Sequence, residues 1–369
     1  MGKLLLFILL IAAAVAAWLW YSINHPYQGF SPEGVFVEVP HGSSSRSVAR
    51  LLERKGVVRS SVAFEFYARR HSHRSPQAGE YFFDRATSAH DVFWKLANGQ
   101  VFEQPFTVRE GETMFDIARD LEAGKFMPAG EFLRAAKDPA LIRDIVPQAA
   151  TLEGFLFPAT YHLSRHPSAT ALTTDMVRKF KEEWNAVTAA ITAGDGISDS
   201  AMVANATPSD SSDSNTAASA TLGPVSTRSV DAVVTLASLV ERETPKAEER
   251  PLVAGVFENR LHKKMLLQCD PTVIYALEQQ GRYNGTLSTA DLHIDSPYNS
   301  YTHTGLPPGP IGNPGEASLR AAYQPARTNY LYFVANTQGG HFFSATLAEH
   351  NNNVIKYRRL LAGEQASTR

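Results

Sequence analysis

The residues with the clearest chemical potential lie in Val233-Val234-Thr235-Leu236-Ala237-Ser238-Leu239-Val240-Glu241-Arg242-Glu243-Thr244. The spacing predicts a helix. At about 100° per residue, Val233, Leu236, Ala237 and Val240 share one face. Glu241 falls between Val234 and Ala237, close to that face, whereas Glu243 lies farther round and Arg242 points away. A carboxyl held against apolar surface keeps its proton, because desolvation disfavours the charged form. A glutamic acid still protonated near neutral pH can act as a general acid. The plainer reading of Glu241 is a helix-end ion pair with Arg242 or Lys246.

Other chemistries find little support. His293, His303, His341 and His350 lack the spacing of a metal site, and no cofactor is implied. There is no phosphate loop and no Gly-x-Ser-x-Gly elbow, and Ser238 has no base at an obvious spacing. A net charge of −2 gives no reason to expect nucleic acid as a partner. What remains is a carboxylic acid in an aromatic, turn-lined groove, a composition that suits sugars. Tyr and Phe faces stack on pyranose rings, and Asn, Gln and His bind hydroxyls and amides. Glycoside cleavage needs one acid to protonate the leaving oxygen. A hydrolase then needs a second carboxylate, for which Asp270 and Glu153 are candidates, although Asp270 also reads as an N-cap ahead of Pro271. A transglycosylase needs only one, because the same glutamate next takes the proton from an internal sugar hydroxyl.

These residues need elements to hold them, and a compartment. The run Leu4 to Ile23 holds one polar residue, Ser22, and is long enough at about 1.5 Å per residue to span a hydrocarbon core of roughly 30 Å. Trp18, Trp20 and Tyr21 sit at its far end, Lys3 flanks the near end, and no Lys or Arg follows until Arg46. That asymmetry places residues 1–3 inside and the rest outside the cytoplasm. Ala14-Val15-Ala16 resembles a signal cleavage site, but the apolar run is long for a signal peptide, so a single-pass anchor over 4–23 is expected. Hydrophobic residues, at 44%, suffice to fill a core, and the lone Cys269 cannot form an internal disulfide.

An internal repeat appears at an offset of 69 residues: Val39-Pro40-His41-Gly42-Ser43 with Val48 to Glu53, then Val108-Arg109-Glu110-Gly111-Glu112 with Ile117 to Glu122. Each copy reads as strand, Gly turn, amphipathic helix. The second resembles the start of a LysM module, a small fold that binds N-acetylglucosamine polymers. Gly194 to Thr227 is rich in Ser, Ala, Thr and Asp, without aromatic residues or Lys, Arg or His; it reads as a disordered insertion. Tyr330 to Val334 reads as a buried strand with His341 to Ser344 as its hairpin partner. The expected fold is α+β: the anchor, an N-terminal α/β part over 24–100, a LysM-like part over 101–150, and a mixed α+β catalytic domain from 151–193 and 228–369.

Several long motifs then stand in order: Leu152-Glu153-Gly154-Phe155-Leu156-Phe157-Pro158, Ala237 to Thr244, Gln268-Cys269-Asp270-Pro271-Thr272-Val273-Ile274-Tyr275, Tyr298-Asn299-Ser300-Tyr301 with Gly305 to Ile311, and Phe342-Phe343-Ser344 with Glu349-His350-Asn351. With the anchor and the LysM-like part, they resemble the membrane-anchored endolytic murein transglycosylases, also called the YceG-like family, over nearly the whole chain. The resemblance implies a lytic transglycosylase that cleaves nascent glycan strands between N-acetylmuramic acid and N-acetylglucosamine, forms 1,6-anhydro ends and stops elongation. It implies Glu241 as acid/base, with Glu153, Gln268, Tyr298, Asn299 and Tyr301 lining the groove. It also implies peptidoglycan as substrate, cell-wall synthases (penicillin-binding proteins) as partners, and a bacterial plasma membrane location with the catalytic part periplasmic. Ala159 departs from the pattern, which usually has an acid there, and the insertion is longer than expected. A muramidase-type hydrolase and a non-catalytic wall-binding scaffold are the rivals.

Overall fold

The structure is a computed structural model that describes residues 2–193 and 228–367; the expected disordered insertion, 194–227, lies outside the described residues. The described chain is mixed α and β and divides into two units.

The first unit comprises Met1–Pro105 and His162–Arg165. It opens with helix α1 (Gly2–Asn24), long and apolar enough to cross a membrane and exposed along most of its length. There follow β1 (Val35–Val39), α2 (Ser45–Arg54), α3 (Ser61–Arg70), β2 (Gly79–Phe83) and α4 (Ala89–Ala97). Ser44, Ser60 and Ser88 cap the three short helices, each accepting from an amide three residues on, which satisfies a donor the helix itself leaves unpaired. β1 and β2 pair antiparallel with Val37 opposite Tyr81. Period-two alternation sends Val37, Val39, Tyr81 and Phe83 into a core shared with Leu52, Phe64, Phe93 and Leu96.

The second unit comprises Phe106–Tyr161 and His166–Arg369. Of the three points where the chain passes from one unit to the other, the first two fall within strands, β3 (Gln104–Thr107) and β4 (Thr160–Leu163). Between these strands lie α5 (Met114–Ala123) and α6 (Ala129–Ala136). The order strand–helix–helix–strand therefore occurs twice. Val35 and Gln104 open the two copies, and Ser45 and Met114 open their first helices, each pair 69 apart, the offset seen in the sequence. The chain continues through α7 (Ala169–Thr192), α8 (Val230–Glu243), α9 (Arg250–His262), α10 (Asp270–Gln279), α11 (Glu316–Tyr323), the hairpin β5 (Tyr332–Ala335) and β6 (His341–Ser344), and α12 (Leu347–Ser367).

Three local expectations change. Every residue of α8 from Val233 to Val240 is buried, so this is a central helix without a solvent face. A helical wheel cannot then rank Glu241 and Glu243 by their distance from an apolar stripe. Cys269, not Asp270, is the N-cap residue of α10; Asp270 is the first helical residue and its side chain points elsewhere. β5 is only half-buried: all four of its residues are partly exposed in a two-stranded hairpin.

Candidate active site

The last turn of α8 is where the carboxyls meet the fold, and the two glutamates there have different surroundings. Glu241 Oε1 accepts from Arg250 Nη2 at 2.7 Å, and its Oε2 accepts from the Gly315 amide at 2.9 Å. The two side chains are 4% and 7% exposed. Arg250 stands at the start of α9, and its Nη2 also reaches Glu110 at 3.3 Å. Glu241 does pair with a cation, as the plainer reading expected, but Arg242 and Lys246 are not the partner. Arg242 donates to the Gly111 carbonyl at 3.1 Å instead. Burial raises the Glu241 carboxyl and Glu110 adds to the rise, while the Gly315 amide and Arg250 oppose it. Both oxygens are engaged, so Glu241 ties α8 to α9 and to the loop before α11.

Glu243, at the end of α8, lines a cavity of about 320 Å3. Arg260, Gln268, Asp270 and Tyr301 share the lining, and Phe333 and His350 form part of its wall. This volume is in the range of small-molecule sites. Burial pushes the Glu243 carboxyl upward and the neighbouring charge of Asp270 adds to it; contact with the Cys269 thiol and the charge of Arg260 act the other way. Asp270 accepts a hydrogen bond from the Tyr301 hydroxyl.

The pocket is held rigidly. Arg260 donates to the carbonyls of Leu331, Leu266 and Leu267 at 2.6, 3.2 and 2.9 Å and lies over the Tyr332 ring. Gln268 sits at φ +52°, a conformation that side chains rarely adopt, fixed by its amide donating to Ser300 O at 3.1 Å. His350 stacks on Tyr332 with centroids 5.2 Å apart. His341 pairs with Glu249 at 2.7 Å, tying the hairpin to the turn after α8.

Of the other residues singled out in the sequence, Gln268 and Tyr301 line this cavity. Glu153 and Asn299 do not: both are buried and act as internal ties. Glu153 accepts from the Met114 amide at 3.0 Å, at the start of α5, and from Asn313 Nδ2 at 3.0 Å; burial pushes it to about 8. Asn299 donates to Leu292 O and Ile294 O and accepts from the Tyr301 amide, which shapes the loop that presents Tyr301. Tyr298 is half-buried against Tyr275, with centroids 5.0 Å apart, and is absent from the cavity wall. The helical wheel sets Glu243 farther round than Glu241, and nothing in the sequence singles out Arg260; both line the cavity. The signal for Glu243 was its place as the final helical residue before Thr244, where a side chain escapes the packed part of the helix.

Comparison with known proteins adds four findings. The model of the YceG-like family matches residues 37–356. The chain is 31% identical over 351 residues to an endolytic murein transglycosylase of Bacillus subtilis (strain 168), covering 91% of this chain and 88% of that protein. It is 30% identical over 364 residues to an endolytic murein transglycosylase of Streptococcus pneumoniae (serotype 2 strain D39), covering 90% of this chain and 60% of that protein. A crystal structure of a YceG-like protein from Listeria monocytogenes superposes with a TM-score of 0.52 at 31% identity, covering 87% of this chain and 99% of that one.

Proposed function

The chain belongs to the YceG-like family, and from that membership and the site we propose that it is an endolytic murein transglycosylase in which Glu243 moves the proton. The reaction class comes from the relatives' names; the observation that carries the residue assignment is that Glu243 lines the cavity, while both Glu241 oxygens are engaged. Glu243, whose carboxyl burial shifts toward its neutral form, donates to the oxygen between N-acetylmuramic acid and N-acetylglucosamine as the C1–O bond breaks. The resulting carboxylate takes the proton from the muramic acid 6-hydroxyl, whose oxygen bonds to C1. The product is a 1,6-anhydro end, and Glu243 is again protonated. Asp270, oriented by the Tyr301 hydroxyl, lines the same cavity and opposes positive charge developing at C1. Gln268 serves as a donor and acceptor to the sugar. Glu241 becomes a positioning residue.

The remaining elements fit this use. α1 anchors the protein with residues 24–369 outside the cytoplasm, which restricts the site to newly made strands near the membrane. The second strand–helix–helix–strand copy supports a LysM-like reading in which that part holds the glycan. Wall synthases are the partners such a location favours.

Asp270 in the same cavity as Glu243 gives specific support to a hydrolytic alternative. Mass spectrometry of glycan strands digested by the full chain, wild type beside Glu243→Gln, decides between them. Anhydro ends from wild type alone are expected; reducing ends would replace the transglycosylase with a hydrolase.

A further inference from the structure

The α2–α3 hairpin carries an unusual surface beside the end of α1. Residues 46–74 hold eight Arg and Lys against two Glu, in a chain whose net charge is −2. On α3, Val62 and Phe66 lie one turn apart and are 64% and 44% exposed, while Phe64 and Ala68 face the core. Arg69 and Arg70, both exposed, continue the same side of the helix. Arg59, just ahead of α3, lies over the rings of Tyr21 and Tyr27 at 5.2 and 4.8 Å. Ser22 and Ile23 are buried, unlike the rest of α1, which packs on α3 and α4 at this end. If Leu4 to Ile23 cross the bilayer, Tyr21 lies at the headgroup level, and Arg59 brings the start of α3 to the same depth.

We propose that the α2–α3 hairpin is a second membrane-contacting surface, with Val62 and Phe66 seated at the headgroup–acyl boundary and the surrounding arginines on anionic phospholipid headgroups. An apolar stripe flanked by basic side chains is the pattern of a surface-lying helix. Arg69 and Arg46 share Glu65, which orders them, and the other cations of the hairpin supply the attraction. The surface restricts how the first unit tilts about α1, so the membrane orients the protein as well as tethering it. This inference rests on the reading of α1 as an anchor.

The test uses the full chain in vesicles. Cys269 is buried, and Cys269→Ser leaves a background for one environment-sensitive dye, placed by Phe66→Cys or, in α1, by Val15→Cys. Vesicles carry brominated acyl chains, with either one part in three phosphatidylglycerol or phosphatidylcholine alone. The expected result is a quenched dye at both positions, with quenching at 66 at least twofold stronger in the anionic vesicles. A dye at 66 that is unquenched, or quenched equally in both lipids, while the dye at 15 is quenched, overturns the inference and leaves the anchor standing. A blue-shifted but unquenched dye at 66 points to a protein partner and likewise overturns it. An unquenched dye at 15 overturns the anchor reading itself.

Discussion

Replacing each glutamate of the Glu241-Arg242-Glu243 motif with glutamine should separate folding from catalysis. Glu241→Gln keeps an oxygen for the Gly315 amide but removes the charge opposite Arg250. Arg250 is 7% exposed, and its remaining carboxylate, Glu110, is 3.3 Å away and half-exposed. Breaking one side of a buried pair costs about 3–5 kcal/mol. In a body of this size, 1 kcal/mol moves the midpoint by about 2–4 °C, so Glu241→Gln should melt roughly 6–20 °C lower. Its activity at low temperature, where it is still folded, should stay within about tenfold of wild type. Glu243→Gln replaces a carboxyl that burial already holds toward its neutral form with a group of the same shape. Its stability should change by less than about 1 kcal/mol, whereas the rate of anhydro-product formation should fall by about 10²–10⁴. Calorimetry of both variants beside a product-release assay reads the two axes independently. A Glu241→Gln protein that melts like wild type yet makes no product, beside an active Glu243→Gln, would refute the assignment and return the acid role to Glu241.

Three further outcomes follow from the same geometry. Activity should be lost as pH climbs through the raised Glu243 value, because the first step needs its proton; Asp270→Asn removes a neighbouring negative charge and should move that alkaline limb to lower pH, so a shift to higher pH in a pH–rate profile would count against the pairing. Glu153 titrates at about 8 in the fold against 4.5 as an ordinary glutamate, so the folded state holds the extra proton between these limits. The stability it contributes is full below about 4.5 and lost as pH rises through 8, a span of roughly 4–5 kcal/mol that Glu153→Gln should flatten in urea midpoints measured across that window. Asn313→Ala should cost about 2–4 kcal/mol, read as a lower urea midpoint, because Asn313 Oδ1 accepts from the Leu156 amide at 2.9 Å and its Nδ2 serves Glu153 and Glu112.

The elements were largely legible. Strand alternation in Tyr81-Phe82-Phe83, serine caps and the 69-residue offset are local signals, and local signals survive into the fold. The assignment of roles within motifs was less so. Glu153 sits in a run of apolar and aromatic residues, which fits a groove as well as a core; the amides of Met114 and the side chain of Asn313 that enclose it come from 39 residues before and 160 after. The family resemblance implies Asn299 as a groove residue, yet the fold uses its amide on Leu292 and Ile294. A wheel that presumes one wet side puts Glu241 nearer the apolar stripe than Glu243, but α8 has no wet side, and the acid/base role of Glu241 is only what the family resemblance implies. Arg250, nine residues on, engages one oxygen and Gly315, 74 residues on, the other; no periodicity reports either contact.

The pairing of Glu241 with Arg250 also bears on how such motifs vary among relatives. Two acids two residues apart can both be invariant for unrelated reasons, one because chemistry requires it and one because a buried cation would otherwise stand alone. The difference lies in their company. A residue held by a partner can change when the partner changes, so Glu241 and Arg250 should be replaced together, as in a matched apolar pair. On the proposed assignment Glu243 has no such exchange open to it, and a relative that lost it would lose the reaction.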